Sequence, residues 1–151
     1  MEPFVPLHVH TEFSVLDGMS KIKDLMKKAH ADGMVAMAVT DHGNMYGAVA
    51  FFDTCEKVGI KPIIGTEFYV CDDLTVKTGK TKLNHLVLLC KNEVGYQNIS
   101  LLNAIAFRDG FYYKPRIDEE SLFSHSEGLI CLSACIQGEL AYSIIHDSKE
   151  K

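Results

Sequence analysis

The sequence predicts an α/β fold with functional side chains gathered at one edge of a sheet. Residues 4–70 follow a β-α-β-α-β order with short links, which is typical of parallel sheets. The second strand, at 34–40, is almost wholly apolar, as expected for a strand covered on both faces. Three successive apolar runs end in His, Asp-His and Glu, and the carboxyl ends of parallel strands are where active sites assemble.

Length and composition fit one domain. The 151 residues are 47% hydrophobic and are enough for a core of their own. No apolar run of about 18 residues predicts a membrane span, and Met1-Glu2-Pro3-Phe4 lacks the features of a signal peptide. We therefore expect a cytoplasmic protein. The net charge of -5 gives no general attraction for nucleic acid, so contact with DNA would need a local patch or another domain.

The first strand is predicted at 4–11 and the first helix at 20–32. Ser20 is the expected N-cap of this helix, because a serine hydroxyl accepts hydrogen bonds from the first helical turn. Gly33 follows the helix, at the position where a left-handed backbone is common.

A second helix at 44–58 and a third strand at 61–70 complete the regular part of the pattern. Gly59 ends the helix, and four side chains are expected on its inward face: Ala48, Phe51, Phe52 and Cys55.

The polar stretch at 72–84 interrupts the rhythm and predicts a hairpin or loop. The remaining predicted elements are a strand at 85–91, a helix at 93–107, a short helix at 117–123 capped by Asp118, a strand at 129–133 and a helix at 138–146.

His8 and His10 end the first strand. Alternate residues of a strand point to the same face, so the two imidazoles project together and form half of a metal site. Because the motif is short, they could equally be two unrelated polar residues. The same chemistry recurs at the next two strand ends, in Asp41-His42 and in Glu67.

Six side chains form a candidate ligand set: His8, His10, Asp17, His42, Glu67 and Cys135. Imidazoles suit zinc, manganese or iron, and a carboxylate that bridges two ions suits phosphate ester hydrolysis.

Each candidate has an alternative role. Asp17 could accept backbone N–H groups before Gly18, Glu67 could be an exposed carboxylate, and Cys135 could be a core residue. For Asp41 we prefer a role in orienting a ligand histidine.

Two further candidates are less regular. His85 opens its strand, so simple barrel geometry places it at the opposite rim. The run from Tyr112 to Arg116 could stack bases and hold phosphate, although a rigid loop packed on the barrel is the favoured interpretation. Within it, Arg116 is a candidate phosphate-facing residue.

Six segments, in order, resemble the N-terminal region of the alpha subunit of bacterial replicative DNA polymerase III, which is a PHP (polymerase and histidinol phosphatase) domain. They are HVHTEFSVLDG, AVTDHGNMYGAVAF, KPIIGTEFYV, GYQNISLL, GFYYKPRID and GLICLSACIQGEL. The resemblance runs from Phe4 to about Leu140 and is more specific to this subunit than to stand-alone phosphatases.

The resemblance implies a distorted β/α barrel, of which this chain would supply about five of seven strands. Residues 1–151 would then be the N-terminal part of a PHP domain, weak or inactive alone, with the rest of that domain and the polymerase domains outside this chain. The residues that match the family's metal-ligand motifs are His8, His10, Asp17, His42, Glu67, His85 and Cys135.

The implied cofactors are two or three divalent ions, zinc or manganese, with magnesium at the polymerase site. The implied partners are DNA, the sliding clamp, a proofreading exonuclease subunit and a clamp-loader subunit, with no membrane.

Three functions stay open. The first is a polymerase domain that cleaves phosphoesters, as a 3′–5′ exonuclease or a pyrophosphatase. The second is a stand-alone phosphatase for a small phosphate ester. The third is a scaffold without catalysis that docks a proofreading exonuclease.

Overall fold

A computed structural model describes residues 4–79 and 82–146 and confirms the α/β class. Lys80 and Thr81, in the predicted polar loop, lie outside the described residues. The helices are α1 (Ile22–Ala31), α2 (Ala48–Val58), α3 (Glu93–Arg108), α4 (Glu119–Ser124) and α5 (Glu139–His146). The strands are β1 (Ala36–Val39), β2 (Lys61–Val70), β3 (Asn84–Cys90), β4 (Arg116–Ile117) and β5 (Leu129–Leu132).

The sheet is mixed and is not closed into a barrel among the described residues. Its order is β1-β2-β3-β5, and β4 pairs with β2. β1 and β4 run parallel to β2, whereas β3 is antiparallel to both β2 and β5. A parallel pair needs a crossover, usually through a helix. The described part of the link between β2 and β3 contains only turns and bends, and the chain reverses direction there.

The predicted first strand at 4–11 is wrong as a strand, although the segment does run beside β1. The carbonyls of Pro6 and Val9 accept hydrogen bonds from the N–H groups of Ala38 and Thr40, at 2.9 and 2.8 Å. Proline has no N–H to return, and the N–H of Val9 donates to the hydroxyl of Thr40 instead of a carbonyl. A regular ladder therefore does not form.

Helix α1 begins at Ile22, with Lys21 and not Ser20 as its N-cap. The N–H of Ile22 donates to Glu12 Oε1 at 3.3 Å, and the N–H of Glu12 donates to the carbonyl of Ser20 at 3.0 Å. The helix start is therefore held by a residue of the preceding loop. Gly33, at φ +71°, ends the helix as predicted.

Helix α2 begins four residues later than predicted, at Ala48, because Asn44 organises a turn before it. The amide of Asn44 donates to the carbonyls of Phe13 and His42, and its Oδ1 accepts from the N–H of Tyr46. Phe52, predicted to face inward, is 43% exposed.

The apolar core consists of two main clusters. One joins α1 and α2 to β1, with Met26, Phe51 and Cys55 fully buried. The other joins α3 to β2, β3 and β4 around Phe68 and Leu102. Asp118 caps α4 as predicted, accepting from the N–H of Ser121 at 2.9 Å. Within 4–79 and 82–146, the helices are all too short or too polar to cross a bilayer.

Candidate metal centre

Glu67 lies at the centre of the candidate site. It belongs to β2, and its N–H donates to the carbonyl of Asp41 at 3.1 Å, while its own carbonyl accepts from Gly43 at 2.8 Å. These backbone bonds hold it beside His42. The side chain is only 1% exposed, so the alternative of an exposed carboxylate is excluded. A buried carboxylate needs compensating partners, because removal of its charge from water is costly.

Four imidazoles supply those partners. Nδ1 of His42 and Nδ1 of His85 lie 2.9 and 2.7 Å from Glu67 Oε1. On the other oxygen, Oε2, Nε2 of His8 makes a hydrogen bond and Nε2 of His10 lies at 3.6 Å. The structure therefore brings together histidines from three separate parts of the chain.

The ring of His10 contacts the rings of both His8 and His42. The centroids of His8 and His10 are 4.9 Å apart, and His10 stacks on His42 at 4.0 Å. The pairing of His8 with His10 thus survives without a regular strand, although the backbone bends at His8.

His85 lies at the same rim as His42, so its predicted placement at the opposite rim is wrong. The reason is strand direction: β3 is antiparallel to β2, and His85 is paired with Tyr69, near the carboxyl end of β2. A residue that opens an antiparallel strand meets residues that close its neighbour. Cys135 lies beside it, with Sγ 3.6 Å from His85 Nδ1.

Asp17 contacts the cluster from its solvent side. Its side chain is 63% exposed, and Oδ2 lies 3.1 Å from His42 Nε2. The backbone of this loop is held by Ser14, whose carbonyl accepts from the N–H groups of Asp17 and Gly18. Asp17 thus sits on the outer side of His42, while Glu67 contacts the inner side.

Asp41 lies behind the cluster and holds the loop that carries it. Its carboxylate is buried and accepts from the N–H of Thr11 at 2.6 Å, the hydroxyl of Thr11 at 2.8 Å and the hydroxyl of Ser14 at 2.7 Å. The hydroxyl of Ser14 accepts in turn from the N–H of His42 at 3.1 Å. Asp41 therefore links the backbone at Thr11, next to His10, to the backbone at His42 through Ser14.

The prediction that Arg116 faces phosphate is wrong. Its side chain is fully buried, and its guanidinium donates to three backbone carbonyls, those of Gly110 (2.8 Å), Val76 (3.0 Å) and Leu74 (3.2 Å). These carbonyls belong to loops that lack a sheet or helix partner there, so Arg116 has a structural role.

A cleft of about 510 Å³ opens above the cluster. Tyr69, which lines this cleft, was not predicted as a site residue, and Lys114 was predicted only as part of the run from Tyr112 to Arg116. Tyr69 lies 6.3 Å from His42 and 5.1 Å from His85, measured between ring centroids. It is two residues after Glu67, and this spacing within a strand could have identified it. No local pattern indicated that Lys114, and not Arg116, enters the cleft.

Contacts within the site shift the pKa values of Glu67, His10 and His42 in different directions. Burial by itself would raise the pKa of Glu67, but interactions with His42, His8 and His85 outweigh burial and hold that pKa well below its usual range. Burial, followed by repulsion from His42, lowers the pKa of His10. The close contact with the Glu67 carboxylate raises the pKa of His42, and the charge of Asp17 adds to this. An anionic carboxylate beside a neutral imidazole is a donor pair that a cation can use.

The donor set fits divalent transition metals. His8, His10 and Glu67 offer three ligand atoms within 4.8 Å of one another, and so do Glu67, His85 and Cys135. Glu67 is common to both groups, as expected of a carboxylate that bridges two ions. The buried Nδ1 atoms of His10 and His42 and Oε1 of Glu67 also lack a well-oriented hydrogen bond in the described structure. Nitrogen, oxygen and sulfur ligands together favour zinc, manganese or iron over calcium or magnesium.

The chain is similar to several known proteins. A family model described as "PHP domain" matches residues 6–151. The DNA polymerase III subunit alpha of Chlamydia pneumoniae is 49% identical over 142 residues, which cover 91% of this chain and 12% of that protein. The corresponding subunit of Helicobacter pylori is also 49% identical over 142 residues, covering 93% of this chain and 12% of the relative.

The match to these subunits is to their N-terminal region, and the chain spans only about an eighth of their length. Among solved structures, a Bifidobacterium adolescentis protein described as a metal-dependent phosphoesterase superposes with a TM-score of 0.48 and 23% identity, covering 72% of this chain and 36% of that one.

Proposed function

The chain belongs to the PHP domain family, and from this premise we propose that its Glu67-centred cluster holds two or three divalent metal ions for phosphoester hydrolysis. Zinc and manganese are the proposed metals, and seven ligands are proposed: His8, His10, Asp17, His42, Glu67, His85 and Cys135. The observation that carries the proposal is the position of Glu67, whose carboxylate is common to two groups of three ligand atoms.

The ligand residues perform two tasks in this proposal. Glu67 supplies the shared negative charge, and its burial keeps water from competing for it. His8 and His10 lie on one side of it and His85 and Cys135 on the other, so two cations would be held close together. When bound, paired divalent ions lower the pKa of a water molecule and neutralise phosphate oxygens.

His42 and Asp17 form the outer part of the proposed site. His42 bridges the buried Glu67 and the exposed Asp17, with contacts of 2.9 and 3.1 Å. An exposed carboxylate at the mouth of the cleft is placed to bind a third ion, or to accept a proton if that ion is not bound. Asp41 positions this part through Ser14.

The similarity to polymerase subunits supports a finer proposal. We propose that residues 1–151 are the N-terminal part of the PHP domain of a replicative DNA polymerase, whose palm domain would use magnesium. DNA, the sliding clamp, a proofreading exonuclease subunit and a clamp-loader subunit are the proposed partners. The proposed reaction is 3′–5′ cleavage of DNA. A scaffold that docks a separate exonuclease is the second candidate, and a small-molecule phosphatase the third.

Metal content is the first test. We expect that zinc- or manganese-loaded protein, freed of loose metal by gel filtration, retains metal by elemental analysis and that the double variant His8→Ala, His10→Ala loses most of it. His30→Ala is a matched control, because His30 is exposed and bonds only to the carbonyl of Val58 among the contacts described. Equal metal in the wild type and the double variant would refute the ligand assignment.

Hydrolysis of a 3′-labelled oligonucleotide in Mn²⁺ is the second test. Catalysis by this site would be supported if the wild type and His30→Ala cleave the oligonucleotide and Glu67→Gln does not. Stoichiometric metal without any turnover, also in the longer polymerase, would favour the scaffold. Turnover of small phosphate esters alone would favour the phosphatase.

A further inference from the structure

The turn from Tyr112 to Lys114 has an unusual backbone. Tyr113 has φ +58°, which is a left-handed conformation that bulky side chains rarely adopt. The N–H of Tyr112 donates to the carbonyl of Lys114 at 3.1 Å, which closes the turn around Tyr113. Strained residues of this kind concentrate where a structure positions side chains for binding.

This turn places two neighbouring side chains at the cleft. The ring of Tyr113 lines the cleft, is 84% exposed and meets the ring of Tyr112 edge-on, with the centroids 4.6 Å apart. Lys114 lines the cleft, with Nζ 4.1 Å from the centroid of the Tyr69 ring. Pro115 anchors the turn on the loop after His42: a Cβ added to Gly43 would lie 2.7 Å from Pro115 Cγ.

Lys114 carries a charge that the described structure does not neutralise. Within 4–79 and 82–146, no carboxylate pairs with it, and it is the only lysine or arginine among the described residues that line the cleft. The Tyr69 ring that Lys114 contacts lies 6.3 Å from His42 and 5.1 Å from His85, measured between ring centroids. An ammonium group in this position suits a phosphate close to the metal cluster.

The rim of the cleft is apolar, although its floor is polar. Tyr46, Leu16 and Tyr113 line it and are 67%, 93% and 84% exposed. A small phosphate ester would leave this rim unused. An unpaired base, in contrast, stacks on an exposed tyrosine ring while its phosphate lies deeper in a basic pocket.

We propose that Tyr113 and Lys114 form a nucleotide subsite, in which Tyr113 stacks on an unpaired base and Lys114 binds the backbone phosphate next to the one that is cleaved. The inference rests on the proposed function and deepens it by assigning the residues that would bind a single strand of nucleic acid. In the run from Tyr112 to Arg116, the binding residues would therefore be Tyr113 and Lys114 and not Arg116.

The test is fluorescence anisotropy with a labelled phosphorothioate oligothymidylate that resists cleavage, titrated in Mn²⁺ and separately in EDTA. Tyr113→Asn removes the ring and tolerates the left-handed backbone, and Tyr113→Phe keeps the ring. Lys114→Met removes the charge and keeps an apolar stem against Tyr69. Lys27→Met, on the exposed side of α1, is the matched control for the loss of one positive charge.

We expect Tyr113→Asn to weaken binding about 5- to 100-fold and Tyr113→Phe to bind as the wild type does. Lys114→Met should weaken binding at low salt and reduce the slope of log K against log salt concentration by about 0.7, the value for one phosphate contact on a single strand. Lys27→Met should leave both the affinity and the slope unchanged.

Three outcomes would overturn the inference: wild type that binds in neither buffer, Tyr113→Asn with wild-type affinity, or equal salt slopes for Lys114→Met and Lys27→Met. Because binding is measured without turnover, it is independent of the proposed reaction. If the expected losses occur but the cleavable 3′-labelled oligonucleotide of the turnover assay is never cleaved, the subsite stands and the proposed hydrolysis fails.

Discussion

Replacement of Asp41 by alanine tests how the ligand loop is held. The carboxylate of Asp41 accepts three hydrogen bonds, at 2.6, 2.8 and 2.7 Å, from groups that are almost fully buried. The hydroxyls of Thr11 and Ser14 can rotate toward other acceptors, but the N–H of Thr11 cannot. A buried donor left without a partner costs about 1–3 kcal/mol. The weakened hydrogen bonds of the two hydroxyls add to this cost. We therefore expect Asp41→Ala to lower the free energy of unfolding by about 3 kcal/mol.

Asp41→Asn separates charge from geometry. The asparagine oxygen can still accept from the N–H of Thr11 and the hydroxyl of Ser14, and its NH₂ can donate to the hydroxyl of Thr11. We therefore expect a loss of only about 1 kcal/mol, the difference between a charged and a neutral acceptor. Asp53→Ala, an exposed carboxylate on α2, should stay within about 0.5 kcal/mol of the wild type.

The assay is urea unfolding followed by circular dichroism in EDTA, so that bound metal does not contribute. Metal affinity is then measured by competition with a chelator, and a displaced loop predicts about a 10–100-fold loss for Asp41→Ala. An unfolding midpoint of Asp41→Ala equal to that of the wild type would refute the reasoning. So would an asparagine variant as unstable as the alanine variant.

Two further predictions concern a buried cation and the pH dependence of the metal-free site. Arg116→Met leaves three loop carbonyls without their donor, so it should lower the unfolding free energy by about 2–4 kcal/mol. The oligonucleotide affinity of the folded fraction should not change. Weaker oligonucleotide binding by a variant of wild-type stability would show that Arg116 contacts the substrate. The pKa of His42 is raised in the folded protein. The stability that this shift contributes is fully present below the pKa of an unfolded histidine, about 6.5, and is lost as the pH rises through the pKa of folded His42. Unfolding free energy in EDTA should therefore decrease from pH 6 to pH 8 more in the wild type than in His42→Gln, and parallel pH profiles would contradict this.

Local chemistry determined much of this fold. β2 lies where its β-branched and apolar run predicted it, at Lys61–Val70. Gly33 and Gly59 end their helices at φ +71° and +74°, and Asp118 caps α4. These features depend on the few residues next to them in the chain, so the sequence specifies them directly. The convergence of His8, His42 and Glu67 was also predictable, because each follows an apolar run and the first segment is hydrogen-bonded beside β1.

The tertiary structure alone decided the features that depend on strand direction and on distant partners. His85 reaches Glu67 because β3 is antiparallel to β2, and the sequence of a strand does not record the direction of its neighbour. Glu12, and not Ser20, accepts a hydrogen bond from the first N–H of α1, that of Ile22. Glu12 lies ten residues before Ile22 in the chain and reaches it only because the loop folds back onto the helix start. Arg116 and Lys114 are two residues apart, yet one is buried among carbonyls and the other enters the cleft. Burial depends on which loops pack above each side chain, and this is a property of the assembled fold and not of the local sequence.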